Sequence, residues 1–179
     1  GMNPSRIALL DKLMEMGGDI QVFNHSSFGK EPIADLKIKS SVLNPCEVTP
    51  DDVPNLIDEL PILFIASSFA DGVSSFIEIE ELKYKESDRL KAMQKGLDKM
   101  KIKNFLDGNV FCIEGMGKDY KTPNFLAETY YDHRIAMSFA IAGLNSNSSI
   151  EIASPESIDT SFPEFIKLGK KLGCNFETS

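Results

Sequence analysis

Two stretches of this sequence, residues 58–70 (DELPILFIASSFA) and 133–142 (HRIAMSFAIA), carry no charge beyond their first residues. A helix without a charged face belongs inside a protein, packed on all sides. Neither stretch approaches the roughly 20 apolar residues needed to span a bilayer. A chain that buries two helices must cover them with other layers, and the sequence supplies these. Near Gly72 and Gly143 the apolar runs end, and short alternating segments follow at residues 76–79 (FIEI) and 150–152 (IEI).

A second, amphipathic kind of unit interleaves with the first. Residues 4–23 predict a helix with Ile7, Leu10, Leu13 and Met14 on its apolar side, then a strand over 19–23. Asn3 suits the N-cap, Pro4 the first helical position and Gly17 the stop. A further strand is expected at residues 36–39. The pattern recurs with a helix over 86–100 (Leu90, Met93, Leu97) and strands near 101–105 and 110–113. It recurs again with a helix over 161–172, then Gly173 and a strand over 174–176. The copies lie roughly 70–85 residues apart, too far for a solenoid.

The first copy lacks its apolar helix and the strand after it, so the repeat's own logic expects more chain before residue 1. The expected fold class is α/β: mixed sheets covering buried helices, in about three repeats with the first truncated. Residues 116–132, with Gly, Pro and Asn, predict a long loop.

Composition narrows the function. The 179 residues are 42% hydrophobic and 26% charged, which is globular rather than disordered. A net charge of −8 without a basic stripe argues against nucleic-acid binding. Arg6, Asp11, Lys12, Glu15 and Asp19 break any signal-peptide core, and nothing predicts membrane association. Cys46, Cys112 and Cys174 are scattered, and Cys112 and Cys174 sit in apolar, strand-like surroundings. They read as reduced core thiols of a cytoplasmic protein. Two histidines and three isolated cysteines predict no metal site.

Charge concentrates at three helix entrances, where free N–H groups favour anions. In KYKESDR, Lys85 and Arg89 are four apart and predict one shared helix face. Two cations there require a negative group: either Glu86 and Asp88 with Ser87 as a cap, or a bound anion. In YDHR, Arg134 opens a buried helix and must be paired, with Asp132 or with a ligand carboxylate or phosphate. His133 alone reads as a packing residue. Asp58, before the first apolar helix, reads locally as an N-cap rather than a base.

The strings LKYKESDRLKAM and DHRIAMSFAIAGL closely resemble two signature regions of the 5-enolpyruvylshikimate-3-phosphate synthases. MNPSRIALLDKLMEMGGDI, IDELPILFIASSFADG and DTSFPEFIKLGKKLG resemble the same family in the same order, so the likeness runs from about residue 2 to residue 177. It implies two similar domains of βαβαββ-type units with the active site between them. Residues 1–179 would then be most of the C-terminal domain, and the other domain would bring further cations.

The implied reaction moves the enolpyruvyl group of phosphoenolpyruvate to the 5-hydroxyl of shikimate 3-phosphate, without metal or organic cofactor. Asp58 matches the proton acceptor at that hydroxyl, and Lys85 a lysine that binds shikimate 3-phosphate. Glu86 matches a glutamate that moves a proton at the methylene carbon. Arg89 and Arg134 match two arginines that grip phosphoenolpyruvate, and His133 a histidine beside it. Glu81 and Thr160 depart from residues found in some members, so neither carries a ligand role.

The rival readings are an enolpyruvyl transferase acting on UDP-N-acetylglucosamine and a non-catalytic anion-binding module of the same fold. KESDR paired with DHRIAMS argues against the first, and the complete set of polar residues against the second. Residues 1–179 alone are expected to be inactive, with weak anion binding that depends on Arg89 and Arg134.

Overall fold

The structure, a computed structural model, describes residues 1–146 and 149–177. It opens with a 3-10 turn, Pro4–Arg6, capped by Asn3, whose side chain accepts from the Ser5 N–H. Helix α1 (Ala8–Glu15) follows, and Gly17 at φ +91° turns the chain out of it. Strands β1 (Asp19–Phe28) and β2 (Glu31–Lys39) form an antiparallel hairpin, longer than the two short segments the pattern predicted. Ile20 faces Ile38 and Val22 faces Leu36 in this ladder. Alternation places those four on one side and Asp19, Gln21, Lys37 and Lys39 on the other.

The main sheet has four strands in the order β3-β4-β6-β5: β3 (Glu47–Val48), β4 (Asp71–Ile77), β5 (Lys103–Asp107) and β6 (Val110–Met116). β3 runs parallel to β4, and the other neighbours are antiparallel. Strand β4 starts earlier than the alternation at 76–79 implied, so Gly72 lies within it, at φ +131°. The residues 116–132 expected to be loop include a short strand, β7 (Phe125–Ala127), parallel to β8 (Ile150–Ile152).

The helices account for the core. A one-turn helix α2 (Val53–Leu56) leads into α3 (Leu60–Ser68), which is buried on almost every side. Phe64 meets Phe76 of β4 and Phe111 of β6 edge-on, with ring centroids 4.6 and 5.1 Å apart. Helix α5 (His133–Gly143) packs beside α3, and α4 (Arg89–Lys99) closes the group. At Gly96 of α4 an added Cβ would sit 1.9 Å from the Phe139 ring of α5, so only glycine permits this approach. Gly96 and Phe139 each lie seven residues after Arg89 and Asp132. The two helices therefore start at one place and meet again about two turns in.

Five local expectations fail. The helix expected over 86–100 begins only at Arg89, because residues Glu80–Tyr84 form a 3-10 turn and Lys85 is extended. The cap is Asp88, which accepts from the Lys91 N–H, rather than Ser87. The helix expected over 161–172 is shorter, α6 (Phe165–Lys171), and a separate 3-10 segment, Pro155–Thr160, ends before it. Residues 174–176 form no strand. Cys112 lies on β6 and Cys174 beyond α6; with Cys46 they are free thiols, but all are half-buried rather than core residues.

Candidate active site

Three polypeptide segments bring their polar ends to one spot. The turn between α2 and α3 brings Asp58 and Glu59, the approach to α4 brings Lys85, Glu86, Ser87 and Arg89, and the start of α5 brings Asp132 and Arg134. At the centre lies Asp58. Arg89 Nη1 is 3.1 Å from Asp58 Oδ1, Lys85 Nζ is 3.9 Å from the same oxygen, and Arg134 Nη2 is 3.5 Å from Oδ2. The negative groups that the two neighbouring cations required are thus the protein's own: Asp58, shared by both, and Glu86, which pairs with Arg89. Helix geometry does not join Lys85 to Arg89, since Lys85 lies outside the helix. The local N-cap reading of Asp58 is likewise overturned: Glu59 is the capping residue of α3, and no side-chain cap forms.

Arg89 is wholly buried. Its Nε donates to Asp132 Oδ2 at 2.8 Å, and its Nη2 pairs with Glu86. Arg134 remains 30% exposed and divides its donors between the Asp58 carbonyl at 2.8 Å and Glu59 at 3.4 Å. Asp132, a candidate partner for the Arg134 guanidinium, instead serves Arg89 and accepts the Arg134 backbone N–H at 3.0 Å. Lys85 also pairs with Glu81 at 3.1 Å. His133 is the first residue of α5. Among the described residues no hydrogen bond or ion pair ties its ring to the cluster.

The carboxylates outnumber the cations. Lys85, Arg89 and Arg134 face Asp58, Glu59, Glu81, Glu86 and Asp132. Anions binding here must either displace carboxylates from these cations or meet additional positive groups. Burial alone would raise the Asp58 carboxyl, but the Arg134 charge, the Arg89 hydrogen bond and Lys85 outweigh it and hold Asp58 below the usual carboxylate range. Asp58 is therefore ionised at neutral pH and pinned by its neighbours.

Among the described residues, no group of three or more His, Cys, Asp or Glu is placed to hold a metal ion, and no helix is long and apolar enough to cross a membrane. Burial pushes the Cys46 and Cys112 thiols up, away from the thiolate that nucleophilic chemistry requires.

A family model described as EPSP synthase (3-phosphoshikimate 1-carboxyvinyltransferase) matches residues 1–168. The chain belongs to the EPSP synthase family. A 3-phosphoshikimate 1-carboxyvinyltransferase of Zymomonas mobilis is 43% identical over 182 residues, covering 99% of this chain and 40% of the relative. The enzyme of that name from Aquifex aeolicus is 45% identical over 167 residues, covering 92% and 38%. An EPSP synthase structure from Acinetobacter baumannii superposes with a TM-score of 0.94 at 41% identity, covering all of this chain and 41% of that one. The enolpyruvyl transferase NikO from Streptomyces tendae, at 19% identity and a TM-score of 0.68 over 94% of this chain and 35% of its own, shares the fold. The chain thus spans about 40% of the length of the curated relatives it matches.

The sequence identified the three helix entrances because each sets polar residues before an apolar run. Four members of the cluster escaped it as partners: Glu59 and Glu81, Ser87, and Asp132 in its role toward Arg89. Spacing along the chain does not pair Arg89 with Asp132, 43 residues apart; the fold does.

Proposed function

We propose that this chain supplies one wall of an active site that transfers the enolpyruvyl group of phosphoenolpyruvate to the 5-hydroxyl of shikimate 3-phosphate, releasing phosphate. Residues 1–179 would be most of the C-terminal domain of a two-domain synthase, with the second wall from the rest of the polypeptide. The observation that carries the reading is the meeting of Lys85, Arg89 and Arg134 on Asp58 from three separate segments. The two substrates carry two phosphates and two carboxylates, which suits a planar guanidinium pair and a lysine point charge.

In this reading Arg89 and Arg134 hold phosphoenolpyruvate, with His133 beside it, and Lys85 holds shikimate 3-phosphate. Asp58 takes the proton of the 5-hydroxyl as that oxygen bonds to the substituted carbon of phosphoenolpyruvate. Glu86 delivers a proton to the methylene carbon, which becomes a methyl group. Loss of a methyl proton with departure of phosphate then restores the double bond. Glu86 suits its task because it is held by Arg89 yet open to water, from which it can reload.

The carboxylate excess adds a consequence. Substrate anions that draw Arg89, Arg134 and Lys85 away from Asp58 remove what depresses its proton affinity. The base then strengthens as the hydroxyl arrives. In the full-length polypeptide, the acid limb of kcat should lie at higher pH than that of kcat/KM. Coincident limbs would contradict it.

Phosphate release by the full-length polypeptide, given both substrates, tests the main reading. Turnover that requires shikimate 3-phosphate and is lost in Asp58→Asn supports it. Turnover with UDP-N-acetylglucosamine in its place would establish the sister reaction. Residues 1–179 alone should show none, because three cations outnumbered by carboxylates make a poor anion trap.

A further inference from the structure

Asp132 lies outside the roles proposed above, yet it is the only carboxylate among the described residues with no exposed surface. Burying a carboxylate is costly unless every lone pair is used, and here the use divides between its two oxygens. Oδ2 accepts from Arg89 Nε at 2.8 Å and from the Ser87 hydroxyl at 3.0 Å. Oδ1 accepts from the backbone N–H groups of Arg134 at 3.0 Å and Ile135 at 3.4 Å.

We propose that Asp132 is a positioning residue that sets both site arginines at once, one through each oxygen. Its grip on Nε turns the other two nitrogens of Arg89 toward Asp58 and Glu86. Its cap on α5 fixes the helix turn from which Arg134 reaches the same Asp58. One carboxylate thereby determines the relative placement of two cations that sequence separates by 45 residues.

The chain delivering Asp132 is strained. Tyr130 and Tyr131 both have positive φ, 54° and 60°, and the Asp132 N–H donates to the Thr129 carbonyl at 2.9 Å. Two consecutive positive φ values are what a type I′ turn needs, and there Asn and Gly are favoured. Bulky residues in that region cost roughly 1–3 kcal/mol each unless their surroundings hold them. The surroundings do so: buried Thr129 donates its hydroxyl to the Ala153 carbonyl at 2.7 Å, and Lys95 of α4 donates to the Tyr130 hydroxyl at 2.9 Å. The turn is tied to the helix that carries Arg89.

The kinetic part of the test rests on the transferase reading; a second readout does not. Asp132→Asn retains one acceptor oxygen, and Asn caps helices as well as Asp, so the oxygen stays with α5 and Arg89 Nε loses its partner. In the full-length polypeptide we expect KM for phosphoenolpyruvate to rise about tenfold, with KM for shikimate 3-phosphate changed less than about twofold. In an Arg89→Lys background, which has no Nε, the same substitution should add nothing. Equal rises in both KM values, or full additivity with Arg89→Lys, overturn the proposal.

Ser87→Ala, which removes the other donor to Oδ2 and leaves the fold intact, should raise the same KM by about two- to threefold. No change would count against the proposal even if Asp132→Asn failed to fold. Independently of turnover, the Arg89 Nε–H should exchange slowly with solvent by NMR and quickly in Asp132→Asn. A rapidly exchanging Nε–H in the parent overturns the positioning role. A protected Nε–H that Asp132→Asn exposes, in a polypeptide with no turnover on either substrate, supports that role while removing the transferase reading.

Discussion

The starts of α4 and α5 share a local grammar: an aspartate cap, then an arginine within two residues, then a helix directed into the core. Their physical environments are opposite. At α4 the cap Asp88 is exposed and its carboxylate accepts from the Lys91 N–H, while Arg89 is fully enclosed. At α5 the cap Asp132 is enclosed and reaches across to α4, while Arg134 keeps about a third of its side chain in solvent. A cap motif therefore reports a helix boundary, and burial decides whether the same residues become a pairing centre. The enclosed members, Arg89 and Asp132, bind each other, whereas the partly open Arg134 pairs with Asp58 and Glu59 at the edge of the cluster.

The contrast can be broken most forcefully at Arg89. Arg89→Met leaves Asp132 buried without its cation, and we expect a loss of about 3–5 kcal/mol in urea unfolding; a loss under about 1 kcal/mol would erase the distinction drawn here. Asp88→Ala should cost about 1 kcal/mol, an ordinary cap, measured in the same way. Arg134→Met should alter stability by less than about 1 kcal/mol, as expected of a partly solvated pair. It should nonetheless weaken phosphoenolpyruvate use by the full-length polypeptide more than tenfold, roughly.

The smallest effect concerns acid. The folded-state pKa of Asp58 is lowered, so its contribution to stability is complete above the unfolded value of about 3.9 and fades as pH falls through the lower folded value. Asp58→Asn should therefore flatten the acid side of the stability curve below about pH 4. An unchanged slope would show that the three cations do not act on Asp58 in solution.

Much of the fold was legible where local chemistry is decisive. Gly17 turns the chain, the apolar run beginning at residue 133 is a helix, and Asn3 caps, although what it caps is a 3-10 turn ahead of α1. Errors arose where one residue had two local readings. Residues 85–88 have helical spacing to Arg89, yet Lys85 is extended and the chain bends over residues 85–87, which places Lys85 beside Asp58. Asp58 precedes a helix as a cap would, yet three cations outbid the helix N–H groups for its oxygens. The last helix starts only at Phe165, and residues 174–176 join no sheet among the described residues.

Residue types and their periodicity established which segments are buried, where helices begin, and that positive charge gathers at those beginnings. The pairing itself came with folding: Arg89 with Asp132 across 43 residues, Arg134 with Asp58 across 76. An ion pair is worth little in water and much in a desolvated volume. Its partners are therefore chosen by which charges the packed helices shut in together, and the order of residues along the chain does not carry that information.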